Sequence, residues 1–405
     1  MPKLLNHYSK IKLLVGLANT HIRPNGSPKI NKTITMKKLF AILTISILCS
    51  FRPSEDIPSL AIGSPAPDFN LKGVDGKMYS LKSFAKSKIL MIVFTCNHCP
   101  TAQAYEERIK KISADYQAKG VQVVAISPNS PVAVRLDEMG YTDLGDTYEE
   151  MKIRAKEAKF NFPYLFDGET EIISKKYGPV ATPHVFIFDE KRILRYSGRI
   201  DEMEKPSKTP TQFDTRHALD NLVAGEKVAV EKTKTFGCSI KWAEKENLSL
   251  KEKEAWEKEP VALETINEEG IKKLLKNDSG KLRLINVWAT WCGPCVAELP
   301  DFMKINQMYR HRDFELVTIS ADKPDKKDKA LATLQRLHSA TKNYIFDSED
   351  VYKLIELIDP KWQGALPYTL LVEPNGKIVY QKQGAINPQQ MKRLIVENPL
   401  IGRYF

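Results

Sequence analysis

The first fifty-four residues of this 405-residue chain hold no acidic side chain; the first is Glu55. Nowhere does the chain run to the roughly 20 consecutive apolar residues that a bilayer span needs. It also lacks a glycine-rich phosphate loop and a hydrolase-like Ser/His/Asp grouping, which leaves phosphate transfer and serine hydrolysis without a site. The formal charge of +11 invites a nucleic-acid reading, but nine Lys/Arg up to Pro53 supply most of it. The remainder carries 52 bases and 50 acids. A near-neutral body has no electrostatic footprint for phosphate, so nucleic acid is excluded as a main partner. With 42% apolar and 27% charged residues the chain is a folded one, and its length bounds it to two or three domains.

The basic head reads as targeting. Met36-Lys37-Lys38 is followed by Leu39 to Leu48 and then Cys49-Ser50, a charged segment and a short apolar one in the pattern of a secretory signal. The expectation is export to a periplasmic or envelope compartment, with translation starting at Met36, residues 1–35 an upstream over-extension, and residues 1–54 an extension outside the fold. The segment also offers a membrane tether, and Cys49 a lipidation site, although bulky Leu48 precedes it.

An oxidising compartment changes how the other cysteines are read. They are Cys96, Cys99, Cys238, Cys292 and Cys295, four of them in two C-x-x-C pairs 193 residues apart. A shared zinc site would place each pair in a turn-rich knuckle. Here each pair instead ends a buried-strand pattern and begins a helical one. Lys281 to Thr290 reads as a strand buried on both faces, Trp291-Cys292-Gly293-Pro294-Cys295 follows, and helical spacing continues to Asn306. Phe314–Ser320 completes a β-α-β unit. Tyr368–Glu373 and Ile378–Tyr380 form a hairpin through Asn375-Gly376, and a helix from Pro388 to Val396 closes the chain. A cysteine at a helix N-terminus faces unpaired N–H groups and the positive dipole end, so its thiolate is stabilised. Cys292 is expected to be that residue, attacking a substrate disulfide, with Cys295 resolving the mixed disulfide.

Trp288-Ala-Thr-Trp-Cys-Gly-Pro-Cys295 is the motif on which residues 261–405 resemble a thioredoxin-fold domain of the TlpA/ResA type. Pro300 matches the proline that kinks the active-site helix. Leu366-Pro367-Tyr368-Thr369 matches the loop whose cis-proline lies against the disulfide, and the resemblance implies that Leu366 offers its backbone to a substrate chain. Asn286 stands where thioredoxin carries a buried Asp. The acid that takes the resolving thiol's proton is therefore open, and Asp322 is the candidate.

The first pair has the same grammar. Lys88–Thr95 reads as a strand, Cys96-Asn97-His98-Cys99 follows, Thr101–Lys119 is helical, and Val121–Ser127 is the next strand. Thr182-Pro183-His184 repeats the proline leading into an apolar strand, 87 residues after Cys96 against 75 from Cys292 to Pro367. The surplus falls around Pro131–Tyr148, an insertion without strong periodicity. Ile62 to Leu71, Tyr196 to Asp201 and Gly237-Cys238-Ser-Ile-Lys-Trp242 carry a resemblance of residues 60–242 to the AhpC/TSA redoxins, which are peroxiredoxin-like. The departure is the missing P-x-x-x-T-x-x-C pattern of true peroxiredoxins, which leaves a peroxide site unsupported. Cys96 is expected to attack and Cys99 to resolve.

An imidazole beside a thiolate favours the reduced form, so His98 is expected to make its pair the more oxidising, while Gly293-Pro294 goes with a reducing pair. A third of the roughly 150 mV between thioredoxin and a strong oxidant would favour transfer from Cys292 to Cys96 by roughly 2 kcal/mol. Residues 243–260 alternate in charge and read as a solvated helical linker. Cys238 reads as a free buried cysteine or a resolving thiol, and His184 as groove-lining or exposed.

The combined expectation is an exported α/β protein of two thioredoxin-like domains, each a mixed sheet flanked by helices. It would exchange dithiols and disulfides through Cys96, Cys99, Cys292 and Cys295, with Thr182, Pro183, Leu366 and Pro367 forming the substrate grooves and His98, Pro294 and Asp322 tuning the pairs. No cofactor or metal beyond the two redox disulfides is expected. The partners are protein substrates and an upstream reductant, with electrons relayed between the domains; the oligomeric state stays open. The alternatives are a thiol peroxidase in the first domain and a copper- or thiol-binding assembly chaperone.

Overall fold

The computed structural model describes residues 57–203 and 209–403. Met36–Ser50 and the readings placed on it lie outside those residues. The described chain builds two α/β domains on one plan.

In the first, strands β1 (Leu71–Gly73), β2 (Met78–Tyr79), β3 (Ile89–Phe94), β4 (Val121–Ser127), β5 (Tyr164–Phe166), β6 (His184–Phe188) and β7 (Leu194–Gly198) lie in the order β2-β1-β5-β4-β3-β6-β7. Strands β3, β4 and β5 run parallel, and β6 and β7 return antiparallel. Strand β3 is apolar throughout because both its faces are covered. Ile89, Met91 and Val93 pack with Tyr105, Ile109 and Ile112 of helix α1 (Pro100–Gln117). Leu90, Ile92 and Phe94 face the opposite layer with Tyr177 and Phe186. Helices α2 (Tyr148–Glu157), α3 (Ile172–Tyr177) and α4 (Asp214–Val223) complete the layers.

Helix α5 (Glu246–Glu257) leads to the second domain. There β8 (Glu264–Ile266), β9 (Leu282–Trp288), β10 (Phe314–Ser320), β11 (Lys342–Phe346), β12 (Tyr368–Val372) and β13 (Ile378–Gln383) lie in the order β13-β12-β9-β10-β11-β8. Around them pack α6 (Glu268–Lys276), α7 (Gly293–Tyr309), α8 (Lys327–Arg336), α9 (Val351–Ile358) and α10 (Pro388–Glu397). The central β9 corresponds to β3, and in each domain the strand that follows the cis-proline pairs antiparallel with it.

One expectation about the connections needs correction, and a second gains a reason. Residues 243–260 are helical but not simply a solvated tether, because the indole of Trp256 is too large and apolar to leave in water. It is buried in the second domain's core, with Arg310 lying over its ring at 4.9 Å. The insertion around Pro131–Tyr148 is the joint between the domains. Met139 enters the core cluster with Phe302, Ile305 and Tyr309. Tyr309 Oη donates to the Thr142 carbonyl at 2.7 Å and Arg312 Nη1 to the Gly140 carbonyl at 2.8 Å. Asp143, 1% exposed, is held between Arg393 at 3.0 Å and Arg403 at 2.8 Å. The segment lacks periodicity because it conforms to a neighbouring domain rather than to a sheet of its own.

Candidate redox sites

In the second domain Cys292 caps α7, and its sulfur accepts from the Cys295 N–H at 3.3 Å. Pro294 sits in the first turn, where its missing N–H costs nothing. The two sulfurs form a disulfide. Leu366, before a cis-peptide to Pro367, packs against the cluster holding both cysteines. Trp291 beside the pair is 66% exposed. Among the described residues no backbone group pairs with Leu366, which lies in the loop just before β12, so a free backbone edge lies next to the disulfide.

Asp322, the candidate acid, bonds to the cysteine loop and to the end of β10. It is buried, and its carboxylate accepts from the Thr290 N–H, the Thr290 hydroxyl and the Ser320 hydroxyl, each at 2.8 Å. It stitches the cysteine loop to the end of β10. The acid on the cysteine helix is Glu298, which sequence reading missed, although its position one turn beyond Cys295 was the available signal. Asn286 Nδ2 donates to Glu298 Oε1 and the Ile386 N–H to Oε2, both at 3.0 Å. Burial pushes the Glu298 carboxyl above its ordinary value, against these two donors.

The first site differs in helix register. Cys99, not Cys96, caps α1, and its sulfur accepts from the Ala102 N–H at 3.4 Å. The expectation that Cys96 holds the activated place is corrected for a physical reason: Pro100 takes the first helical position, which makes the preceding residue the cap. Cys96 and Cys99 are both buried thiols. Thr182, joined by a cis-peptide to Pro183, touches both, with its hydroxyl 3.3 Å from Cys96 Sγ and its carbonyl oxygen 3.4 Å from Cys99 Sγ. Burial opposes ionisation of Cys99, but the Cys238 and Cys96 thiols, His98 and the Ala102 N–H outweigh it and hold Cys99 well below the usual thiol range. Cys96 is pushed well above that range by burial and by neighbouring Cys99 and Asp146.

His98 is not a solvated loop residue. It is 2% exposed, with Nδ1 2.6 Å from Asp146 Oδ2. Asp146 also accepts from the backbone N–H groups of Asn97 and His98, at 2.8 and 3.0 Å, and from Asn129 Nδ2 at 2.7 Å. Burial lowers the His98 pKa, but Asp146 more than reverses this; burial raises that of Asp146, but His98 and the other donors bring it below its ordinary value. Asp146, supplied by the insertion, escaped sequence reading because it lies 48 residues from His98. Cys96, His98 and Asp146 bring their ligand-type atoms within 4.8 Å of one another, the arrangement among the described residues nearest to a metal site. With Nδ1 committed to Asp146, His98 has only its other ring nitrogen to offer. His184 lies inside the domain, 3.0 Å from the Ser197 hydroxyl, and burial lowers its pKa to about 3.

The AhpC/TSA family matches this chain twice, over residues 62–197 and 258–381, once in each domain. The chain belongs to the AhpC/TSA family. Among curated relatives, the thiol-disulfide oxidoreductase ResA of Oceanobacillus iheyensis is 28% identical over 119 residues, 29% of this chain and 57% of the relative. The chain thus spans little more than half of that relative's length. Of solved structures, a hypothetical protein from Sinorhizobium meliloti 1021 is 32% identical and covers 46% of this chain and 97% of its own, with a TM-score of 0.41. An uncharacterized conserved protein from Geobacillus kaustophilus is 34% identical over 45% of this chain and 92% of its own, with a TM-score of 0.40.

Proposed function

We propose that the chain is an exported thiol–disulfide oxidoreductase with two dithiol sites, of which the second faces protein substrates. The observation that carries this reading is the Cys292–Cys295 pair at the start of α7, beside the unpaired backbone edge of the loop at Leu366. An extended substrate chain lays its backbone on that edge. The Cys292 thiolate attacks the substrate disulfide, one substrate sulfur leaves as a thiolate, and Cys295 then attacks Cys292 to release the second. The reaction leaves Cys292–Cys295 oxidised, and an upstream reductant restores it. Glu298, one helical turn beyond Cys295 on α7, is the candidate to take the Cys295 proton.

The first site runs the same exchange from Cys99, with Cys96 resolving. A peroxidase reading is weaker, because the Thr182 hydroxyl lies against Cys96 and not against the low-pKa Cys99. A copper-binding reading would have to use the other ring nitrogen of His98, because Nδ1 is bonded to Asp146. Relay between the sites is proposed only through an opened form. The first pair is buried, and the insertion that supports it packs along α7 from Phe302 to Tyr309. Among the described residues no helix is long and apolar enough to cross a membrane.

The test is disulfide exchange with a reduced dithiol donor and an oxidised protein, using the full chain and its C96S/C99S and C292S/C295S forms. Retention of protein exchange by C96S/C99S and its loss in C292S/C295S are expected. Equal exchange by C292S/C295S would overturn the assignment of the protein-facing site.

A further inference from the structure

The two cis-proline loops are occupied differently. Beside Pro367 the edge is free. Beside Pro183 it is taken by the chain itself: the Thr182 N–H donates to the Cys238 carbonyl at 2.9 Å, and the two residues form an isolated antiparallel bridge. The approach is close enough to require Gly237, whose φ is +130° and where an added Cβ would lie 2.1 Å from the Thr182 oxygen. The same segment is pinned further on, where the Lys241 N–H donates to Asn129 Oδ1 at 2.9 Å and the Ser130 N–H to the Lys241 carbonyl at 2.8 Å. The other end of that Asn129 amide holds Asp146. A cysteine is thereby delivered, on a strand, to the place beside a dithiol where an extended substrate would sit, and its side chain packs against Cys96 and Cys99.

We propose that Cys238 is an internal substrate of the Cys96–Cys99 pair, its segment occupying the substrate edge at Thr182 and its thiolate attacking the Cys99 sulfur, so that the disulfide moves from Cys96–Cys99 to Cys99–Cys238. This rests on the reading of Cys96 and Cys99 as a redox pair. The step needs no further oxidant. The Cys238–Cys99 bond forms, the Cys96–Cys99 bond breaks, and its electron pair leaves on Cys96, which takes up the proton that Cys238 gave up. In the dithiol state Cys238 keeps its proton because it donates to the Cys99 thiolate. Once Cys99 is in a disulfide that acceptor is gone, so the attacking thiol is released by the oxidation it responds to. The bridge to Thr182 also means that an outside protein chain must displace residues 237–238 before it can pair there. The first domain is thus closed to chains that the second receives.

The experiment treats the full chain in a C292S/C295S background with glutathione disulfide, then maps disulfides by non-reducing peptide analysis with alkylation of free thiols. Both Cys96–Cys99 and Cys99–Cys238 are expected in that background, Cys96–Cys99 alone after Cys238→Ser, and Cys99–Cys238 alone after Cys96→Ser. In the last form alkylatable Cys238 should fall on the order of tenfold on oxidation. If Cys96–Cys99 closes in the background and in Cys238→Ser, while Cys99–Cys238 is absent from the background and from Cys96→Ser, the internal substrate is wrong and the redox pair stands. If no disulfide closes in any form, the redox reading of the pair fails and takes this proposal with it.

Discussion

The two cysteine pairs share a strand–turn–helix setting and a cis-proline, yet one proline apart in sequence they present opposite sulfurs. In Cys292-Gly-Pro-Cys295 the proline is the second helical residue, so the first cysteine caps the helix. In Cys96-Asn-His-Cys99-Pro100 it is the first helical residue and follows the pair, so the second cysteine caps. Where the helix begins decides which thiolate meets the free N–H groups and the dipole. The surroundings diverge accordingly. One pair lies beside an exposed tryptophan and an open edge; the other is enclosed by Thr182, Cys238 and a buried His98–Asp146 pair.

The largest effect expected is the inversion itself. Cys292→Ser should lower protein exchange on the order of a thousandfold, while Cys295→Ser accumulates mixed disulfide with substrate. In the first domain Cys99→Ser should be the silent variant and Cys96→Ser combined with Cys238→Ser the trapping one, read by gel shift with a small-molecule disulfide. Trapping by Cys99→Ser instead would restore the same polarity to both sites.

Next is the joint. Asp143→Ala leaves Arg393 and Arg403 facing a vacated site and should cost about 3–5 kcal/mol. Denaturant unfolding of the full chain should then separate into two transitions where the parent shows one.

The His98–Asp146 pair gives a pH signature that the second site lacks. The folded His98 pKa is raised, so its contribution is full below the unfolded value of about 6.5 and is lost as pH rises through the folded one. That of Asp146 is lowered, so its contribution is present above about 3.9 and is lost as pH falls. His98→Asn should cost about 1–3 kcal/mol between these limits, and the cost should shrink at alkaline pH in stepped-pH unfolding. A cost that does not change with pH would mean that the imidazole is neutral.

Glu298→Gln should slow turnover at the second site roughly tenfold and remove an acid-side inflection from its pH profile. Smallest is Asp322→Asn, expected to cost about 1 kcal/mol through the Thr290 loop with exchange rates changed by about twofold or less. A large rate loss there would return Asp322 to the proton path.

Much of this was legible in the chain. The apolar runs of β3 and β9, the C-x-x-C at the end of each, and prolines leading into β6 and β12 place both sites, because strand burial and helix starts are local events. Pro100 was legible too, and it carries the register that a reading by analogy between the two pairs passes over. What sequence did not yield depends on long-range approach. Asp146 reaches His98 from an insertion shaped by another domain, Cys238 reaches Cys99 across 139 residues, and Trp256 turns a charged linker into part of a core.

The insertion that supplies Asp146 is anchored by Tyr309, Arg312, Arg393 and Arg403, all from the far end of the chain. Chains are made from the N-terminus, and early domains fold while later ones are still being added. The first cysteine loop therefore acquires its strand and its helix hundreds of residues before its carboxylate support is fixed in place. The site synthesised first is the one whose supporting insertion is anchored last.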